Sequence, residues 1–164
     1  MTVARLLKIA LVATTGLFFL IVTFNNAIDD YPSNRMFVER VLSIDSLQFE
    51  GTAERVDWRA ITSPTLHAIS YAFIIAWEGA TAILCFIGVY FLVKNLKADE
   101  ETFHKAKPWS VAGLGLGMML WFFGFITMGG EWFFMWASTW NGQDAAWRMF
   151  GIQGISLIFL MQKE

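Results

Sequence analysis

The sequence predicts an all-α protein, a four-helix transmembrane bundle with a short-helix-containing extracytoplasmic segment between spans one and two. Three observations predict it. Only 16% of the 164 residues are charged and 56% are hydrophobic, whereas a soluble domain carries about 25% charged residues. Apolar runs approach or exceed the roughly 20 residues that cross a bilayer. The lysines and arginines then sort by side, as the positive-inside rule requires.

One domain is expected, with spans near residues 6–25, 65–93, 109–130 and 146–161. The first follows Arg5 and Lys8 and ends at Asn25-Asn26. A basic start before an apolar run also describes a signal peptide. Asn25-Asn26-Ala27 is not a small-residue cleavage pattern, so the run reads as a retained span.

Residues 27–62 form the only long polar segment, with Asp29, Asp30, Glu39, Asp45, Glu50, Glu54 and Asp57 against Arg35, Arg40, Arg55 and Arg59. Ser33 is placed to cap a short helix through Leu42. Met36, Phe37, Val41 and Ile44 then share one face. Two readings stand: a lid or docking surface lying on the membrane, or a connector whose apolar face packs on the bundle.

The second span opens at Ser63-Pro64, a helix-start signal, and is the run around which the rest is arranged. His67, Tyr71, Glu78 and Cys85 fall on one stripe of it, at offsets of four, eleven and eighteen residues from His67. At about 1.5 Å per residue, Glu78 lies roughly 16 Å along the axis from His67, near the middle of the run. An ionisable group at such depth is costly and usually has a task. One reading makes Glu78 a proton or cation site reached from outside along His67 and Tyr71. The other makes it structural, hydrogen-bonded across the bundle to Gln153 or a backbone carbonyl.

The third span begins at Pro108-Trp109. Gly113, Gly117 and Gly124 give it a smooth face at small-xxx-small spacing, suited to close helix contact. It lies in an apolar run with no strand before it, so it is no phosphate loop. A helical extension as far as Trp140 would put Trp132, Trp136 and Trp140 on one face, as an interfacial belt or a site for lipid, quinone or pigment. Asn141-Gly142 marks a turn. Glu131 and Arg148 stand on either side of it, placed either to form a polar binding site or to close a helical hairpin by a salt bridge.

With four spans, Arg5, Lys8, Lys94, Lys97, Lys105, Lys107 and Lys163 share a side with both termini. That side is expected to be the cytoplasm, in the bacterial inner membrane. The acidic 27–62 segment and the tryptophan turn then face outward.

Several pieces of the chain resemble a domain-of-unknown-function family of small integral membrane proteins in bacteria. They are Phe24-Asn25-Asn26, Ser33-Asn34, Val41-Leu42-Ser43, Trp58-Arg59-Ala60-Ile61-Thr62-Ser63-Pro64 and Leu66-His67. Ile75-Ala76-Trp77-Glu78, Gly129-Gly130-Glu131-Trp132-Phe133 and Trp140-Asn141-Gly142-Gln143 complete the set. The resemblance covers nearly the whole chain. It implies four membrane helices and an uncleaved first span, and it implies no activity.

The composition and motifs exclude several classes. A net charge of -2 gives no case for a nucleic-acid partner. One cysteine, Cys85, allows no intrachain disulfide, and two histidines with it are too few for a zinc site of thiolates and imidazoles. His67 and His104 fall on opposite sides, against a bis-histidine haem. There is no G-x-S-x-G, H-E-x-x-H or C-x-x-C, and no nucleophile beside a base. No catalytic residue, metal or cofactor is expected. The leading functional reading is a non-catalytic accessory or interaction protein, contacting lipid and a protein partner in the membrane. A small proton- or ion-linked transporter built on Glu78 is the rival, and a lipid- or quinone-binding module the third reading.

Overall fold

The computed structural model describes residues 3–28, 33–49 and 51–163. Asp29, Asp30, Glu50 and the side chain of Ser33, all named above, lie outside what it describes. Helix α1 spans Val3–Ile28, α2 Ser33–Ser43 and α3 Ala53–Val56, followed by a 3-10 turn at Asp57–Arg59. Helix α4 spans Pro64–Lys94, α5 Glu100–Lys105 and α6 Pro108–Met119. A π-helix continues α6 over Leu120–Trp132, a 3-10 turn covers Met135–Ala137, and α7 spans Gln143–Met161. No strand is present among the described residues, only an isolated bridge between Leu47 and Ser138.

Three segments are long and apolar enough to cross a membrane: Val3–Ile28, Pro64–Lys94 and Glu100–Trp132. The expected fourth, α7, does not reach that standard. It has 19 residues, and Gln143, Asp144, Arg148 and Gln153 interrupt its apolar content. Its lipid-type face is nonetheless apolar: Trp147, Ile152, Ile155, Ile158 and Met161 are exposed. The same holds for Leu17, Leu20 and Ile21 on α1 and Ile83 and Phe86 on α4. Side chains of this kind turned outward suit hydrocarbon rather than water.

Helix α1 packs on α4, α4 on α6, and α6 with its π extension on α7, while lighter contact between α1 and α7 closes the ring. Close approaches show the antiparallel directions. Gly16 of α1 faces Cys85 of α4, and Thr23 faces Gly79. The tightest contact joins α4 to α6, where a Cβ on Gly88 would lie 2.6 Å from the Ser110 backbone nitrogen. One on Gly113 would lie 2.8 Å from the Cys85 nitrogen. Gly117 serves a different neighbourhood, against Phe19 of α1 and Gln153 of α7. The expectation of one glycine face is therefore corrected. Gly113 and Gly117 meet different helices, and Gly124 meets only Leu120 of its own helix.

Three apolar clusters stack along the molecule. Val12, Leu92, Phe103, Leu114 and Leu160 fill one end. Phe19, Ala82, Leu120, Trp121 and Ala146 fill the middle. Val41, Ile44, Val56, Phe133 and Met135 form the core of a cap built from residues 33–62 and 125–142. The polar segment is thus a connector whose apolar face is packed. Its expected helix is α2, with Val41 and Ile44 buried as the spacing requires. The cap is stitched by Gln48 N–H to Ala137 O at 2.9 Å and Thr139 N–H to Ser46 O at 3.0 Å. At the opposite end, Arg5 Nη1 donates to Leu96 O and Ala98 O at 2.9 and 2.7 Å. Lys8 and Lys107 both donate to Gln162 O.

Gly88→Val is expected to cost ~1–3 kcal/mol by overpacking against Ser110. Gly115→Val, where a Cβ meets nothing within 4 Å, should change stability by under ~0.5 kcal/mol. Unfolding of the purified protein by denaturant, followed by circular dichroism, checks both.

Candidate functional site

The site begins with Asn26, in the last turn of α1. Its Nδ2 donates to Glu78 Oε2 of α4 at 2.9 Å. Its Oδ1 accepts from Asn34 Nδ2 of α2 at 2.7 Å. Its backbone carbonyl, one of those a helix end leaves without an intrahelical partner, accepts from the Tyr71 hydroxyl at 3.3 Å. One residue therefore joins α1, α2 and α4. Glu78 is 3% exposed. Its Oε2 is held by Asn26, and its Oε1 has no protein hydrogen bond among the described residues.

The depth of Glu78 differs from expectation. It is central in α4, but it stands beside Asn26, where the apolar run of α1 has ended. Helix α4 has 31 residues and α1 has 26. The first turns of α4 therefore pass beyond the end of α1, alongside α2. The polar partner of Glu78 also differs: it is Asn26, and neither Gln153 nor a backbone carbonyl. Both amide atoms of Gln153 are buried without a hydrogen-bond partner among the described residues.

Glu78 borders a cavity of about 230 Å³, with Asn26, Asn34, Tyr71, Trp121 and Phe125 among its walls. Trp121 is 9% exposed, and its indole N–H has no acceptor among the described residues. A second, apolar cleft of about 100 Å³ adjoins it and shares Phe37, Val38, Ile74 and Phe125 with it.

The π-helix shapes one wall. Bonds reaching five residues back define it, as Phe133 N–H to Met128 O does at 3.0 Å. The Thr127 hydroxyl reaches Phe122 O over the same interval, at 3.0 Å. Leu120, Gly124, Phe125 and Gly129 line the apolar cleft, at steps of four and five. Inserted π turns often accompany functional sites.

The other sequence-derived residues are dispersed. His67 does not lead to Glu78. Its Nε2 lies within hydrogen-bond distance of Ile61 O and at 3.5 Å from Ser43 Oγ, so it anchors the cap to α4. Glu131 and Arg148 form no ion pair among the described residues. Arg148 Nε donates to Asp144 O in its own helix at 3.2 Å, and Glu131 is exposed. The helix stops at Trp132 rather than reaching Trp140, because Phe134 takes left-handed backbone at φ 56°. Trp132, Trp136 and Trp140 consequently do not share a helix face. Trp132 meets Trp58, Trp136 meets Phe49, and Trp140 meets Phe37. Arg59, which sequence reasoning left as one charge among several, lies 4.8 Å from the Trp132 ring and 4.9 Å from that of Trp58. Among the described residues no three His, Cys, Asp or Glu side chains are grouped to hold a metal.

Asn26, Asn34 and Trp121 are the site residues that sequence reasoning missed. The available signal was a pair of asparagines closing an apolar run, with a third eight positions on. Removing the Asn26 amide leaves a buried carboxyl without its donor. Asn26→Leu is expected to cost ~1–3 kcal/mol. Combined with Glu78→Leu it should cost less than the two single changes added together. A double-mutant cycle of denaturant unfolding checks this.

No curated protein matches this chain, and no solved structure matches it. Residues 4–163 match the family described as "Predicted small integral membrane protein (DUF2165)". The apolar helices agree with that description, and the chain belongs to this family of integral membrane proteins.

Proposed function

We propose that this protein is a non-catalytic accessory module of the bacterial inner membrane that holds a small molecule in the cleft beside Glu78. On this reading α7 is the fourth span and both termini are cytoplasmic. The asymmetry of basic residues supports it, with Arg5, Lys8 and Lys107 gathered at the end opposite the acidic cap. The observation that carries the functional reading is the cavity of about 230 Å³ at a buried acid. A polar pocket with apolar walls is the usual form of a ligand site. The outward-facing apolar side chains then contact lipid and one larger membrane partner.

A specific observation also favours the transport reading. Thr81, Gln153, Ser156 and Ser110 are buried polar residues of α4, α6 and α7. They lie, by helix register, between the depth of Glu78 and that of Lys107. The Ser110 hydroxyl and the Gln153 amide have no hydrogen-bond partner among the described residues. Buried polar groups of this kind are the ones that ordered water satisfies.

Affinity purification from native membranes in gentle detergent, followed by native mass spectrometry, separates the readings. The accessory reading expects a stoichiometric small molecule and a protein partner, with the small molecule lost in Glu78→Leu. Recovery of this chain alone with an empty cleft overturns it. Proton flux into proteoliposomes that disappears in Glu78→Gln would establish transport instead.

A further inference from the structure

We infer that the ligand of the cleft beside Glu78 is an organic ammonium ion, a positively charged nitrogen carried on an apolar group. The inference rests on the reading that the cleft holds a small molecule.

Charge selects the class. Glu78 is 3% exposed and borders the chamber of about 230 Å³. Its Oε2 is engaged by the Asn26 amide, a neutral donor. No lysine, arginine or histidine lines the chamber, and none pairs with Glu78 among the described residues. A buried carboxylate is costly unless a positive partner stands beside it. An anion is repelled by it, and a neutral molecule leaves it unmatched. The approach has the same sign. Residues 27–62, which supply α2 to the chamber wall, carry seven acids against four arginines. A negative field of this kind gathers cations.

The walls separate an organic cation from a metal ion. A divalent cation takes six or more oxygen ligands, several of them carboxylate or water. Here Glu78 is the one carboxyl on the chamber wall, and no three His, Cys, Asp or Glu side chains are grouped among the described residues. The rings of Phe37, Tyr71, Trp121 and Phe125 make up much of the rest. Aromatic rings attract an ammonium held over their faces, tryptophan most strongly, and the attraction grows where water is excluded. A cavity of roughly 150 Å³ accepts benzene, so the space here suits an ammonium with its substituents rather than a bare ion. The apolar group has a place of its own. The adjoining cleft of about 100 Å³ shares Phe37 and Phe125 with the chamber, and its walls carry no charged side chain.

The headgroup of phosphatidylethanolamine and a free amine offer the same charged nitrogen, and the experiment separates these sources. The full-length protein is purified in dodecyl maltoside, an uncharged detergent without an ammonium group, and titrated calorimetrically with benzyltrimethylammonium. Protein-free micelles give the blank. Neopentylbenzene has the same shape with carbon in place of the charged nitrogen. Saturable binding of the ammonium is expected, with neopentylbenzene weaker by about tenfold or more. Glu78→Gln keeps the shape of the side chain and an oxygen to accept from Asn26. It should weaken the ammonium by about tenfold or more and leave neopentylbenzene unchanged. The comparison of the two ligands uses unaltered protein, so it does not depend on the variant folding. Displacement by stoichiometric phosphatidylethanolamine supports the inference with a lipid headgroup as the source, and its failure to displace supports a free amine.

Equal affinity for benzyltrimethylammonium and neopentylbenzene overturns the inference. So does ammonium binding that persists undiminished in folded Glu78→Gln protein, because the charge then acts elsewhere. No binding of either ligand overturns it as well. If protein purified from native membranes nonetheless carries a stoichiometric molecule in the cleft, only the class is wrong. If that cleft is empty, the reading beneath it falls too.

Discussion

The Asn26 side chain and backbone carry a constraint on which the arrangement of the cap depends. A helix ending near a membrane boundary leaves carbonyls that water no longer reaches freely. Tyr71 answers one of them. The amide of the same residue faces two ways, donating to Glu78 and accepting from Asn34. Helix α2 is thereby held against the mouth of the cleft, and the Glu78 carboxyl is held with one oxygen engaged. Asparagine suits this place because it has both a donor and an acceptor. Aspartate would set a second acid beside Glu78, and leucine would leave Glu78 and Asn34 unanswered.

Much of this architecture was legible in the sequence, because apolar length and helix-start chemistry are local properties. Ser63-Pro64 opened α4 as read, with Ser63 Oγ accepting from Leu66 N–H. The stripe on α4 also followed from periodicity, since His67, Glu78 and Cys85 are buried and Tyr71 is half-buried. What each stripe residue meets was not local. Periodicity gives a direction from one helix, and the partner depends on the relative shift of two. The 31 residues of α4 and the 26 of α1 do not align end to end. That offset brings Glu78 to Asn26 and takes His67 out to the cap.

The π-helix and the tryptophans escaped for another reason. A regular step of four residues predicted one helix face for Trp132, Trp136 and Trp140. The chain leaves the helix at Phe133, and tertiary contacts with the cap decide the positions of all three rings. Trp58, 74 residues upstream of Trp132, packs edge-on against it, and Arg59 lies over both. No short window contains that information. The five-residue step of the π-helix is equally hidden, since Leu120, Gly124, Phe125 and Gly129 have no shared composition that marks it.

The bridge between Leu47 and Ser138 has a consequence for the order in which the molecule is made. Residues 46–48 and 137–139 are separated by most of the chain, including α4 and α6. Their backbone bonds cannot form while only the first half has been synthesised. Contacts of such sequence separation are slow to close, and they wait for the whole intervening segment when a chain assembles from its N-terminus. Until residue 139 has emerged, the apolar face of α2 has no Phe133 or Met135 to cover it. Closure of the cap therefore waits for the segment that follows α6 and its π extension, and the cleft acquires its walls from Phe125 and Trp121 only in the second half of synthesis.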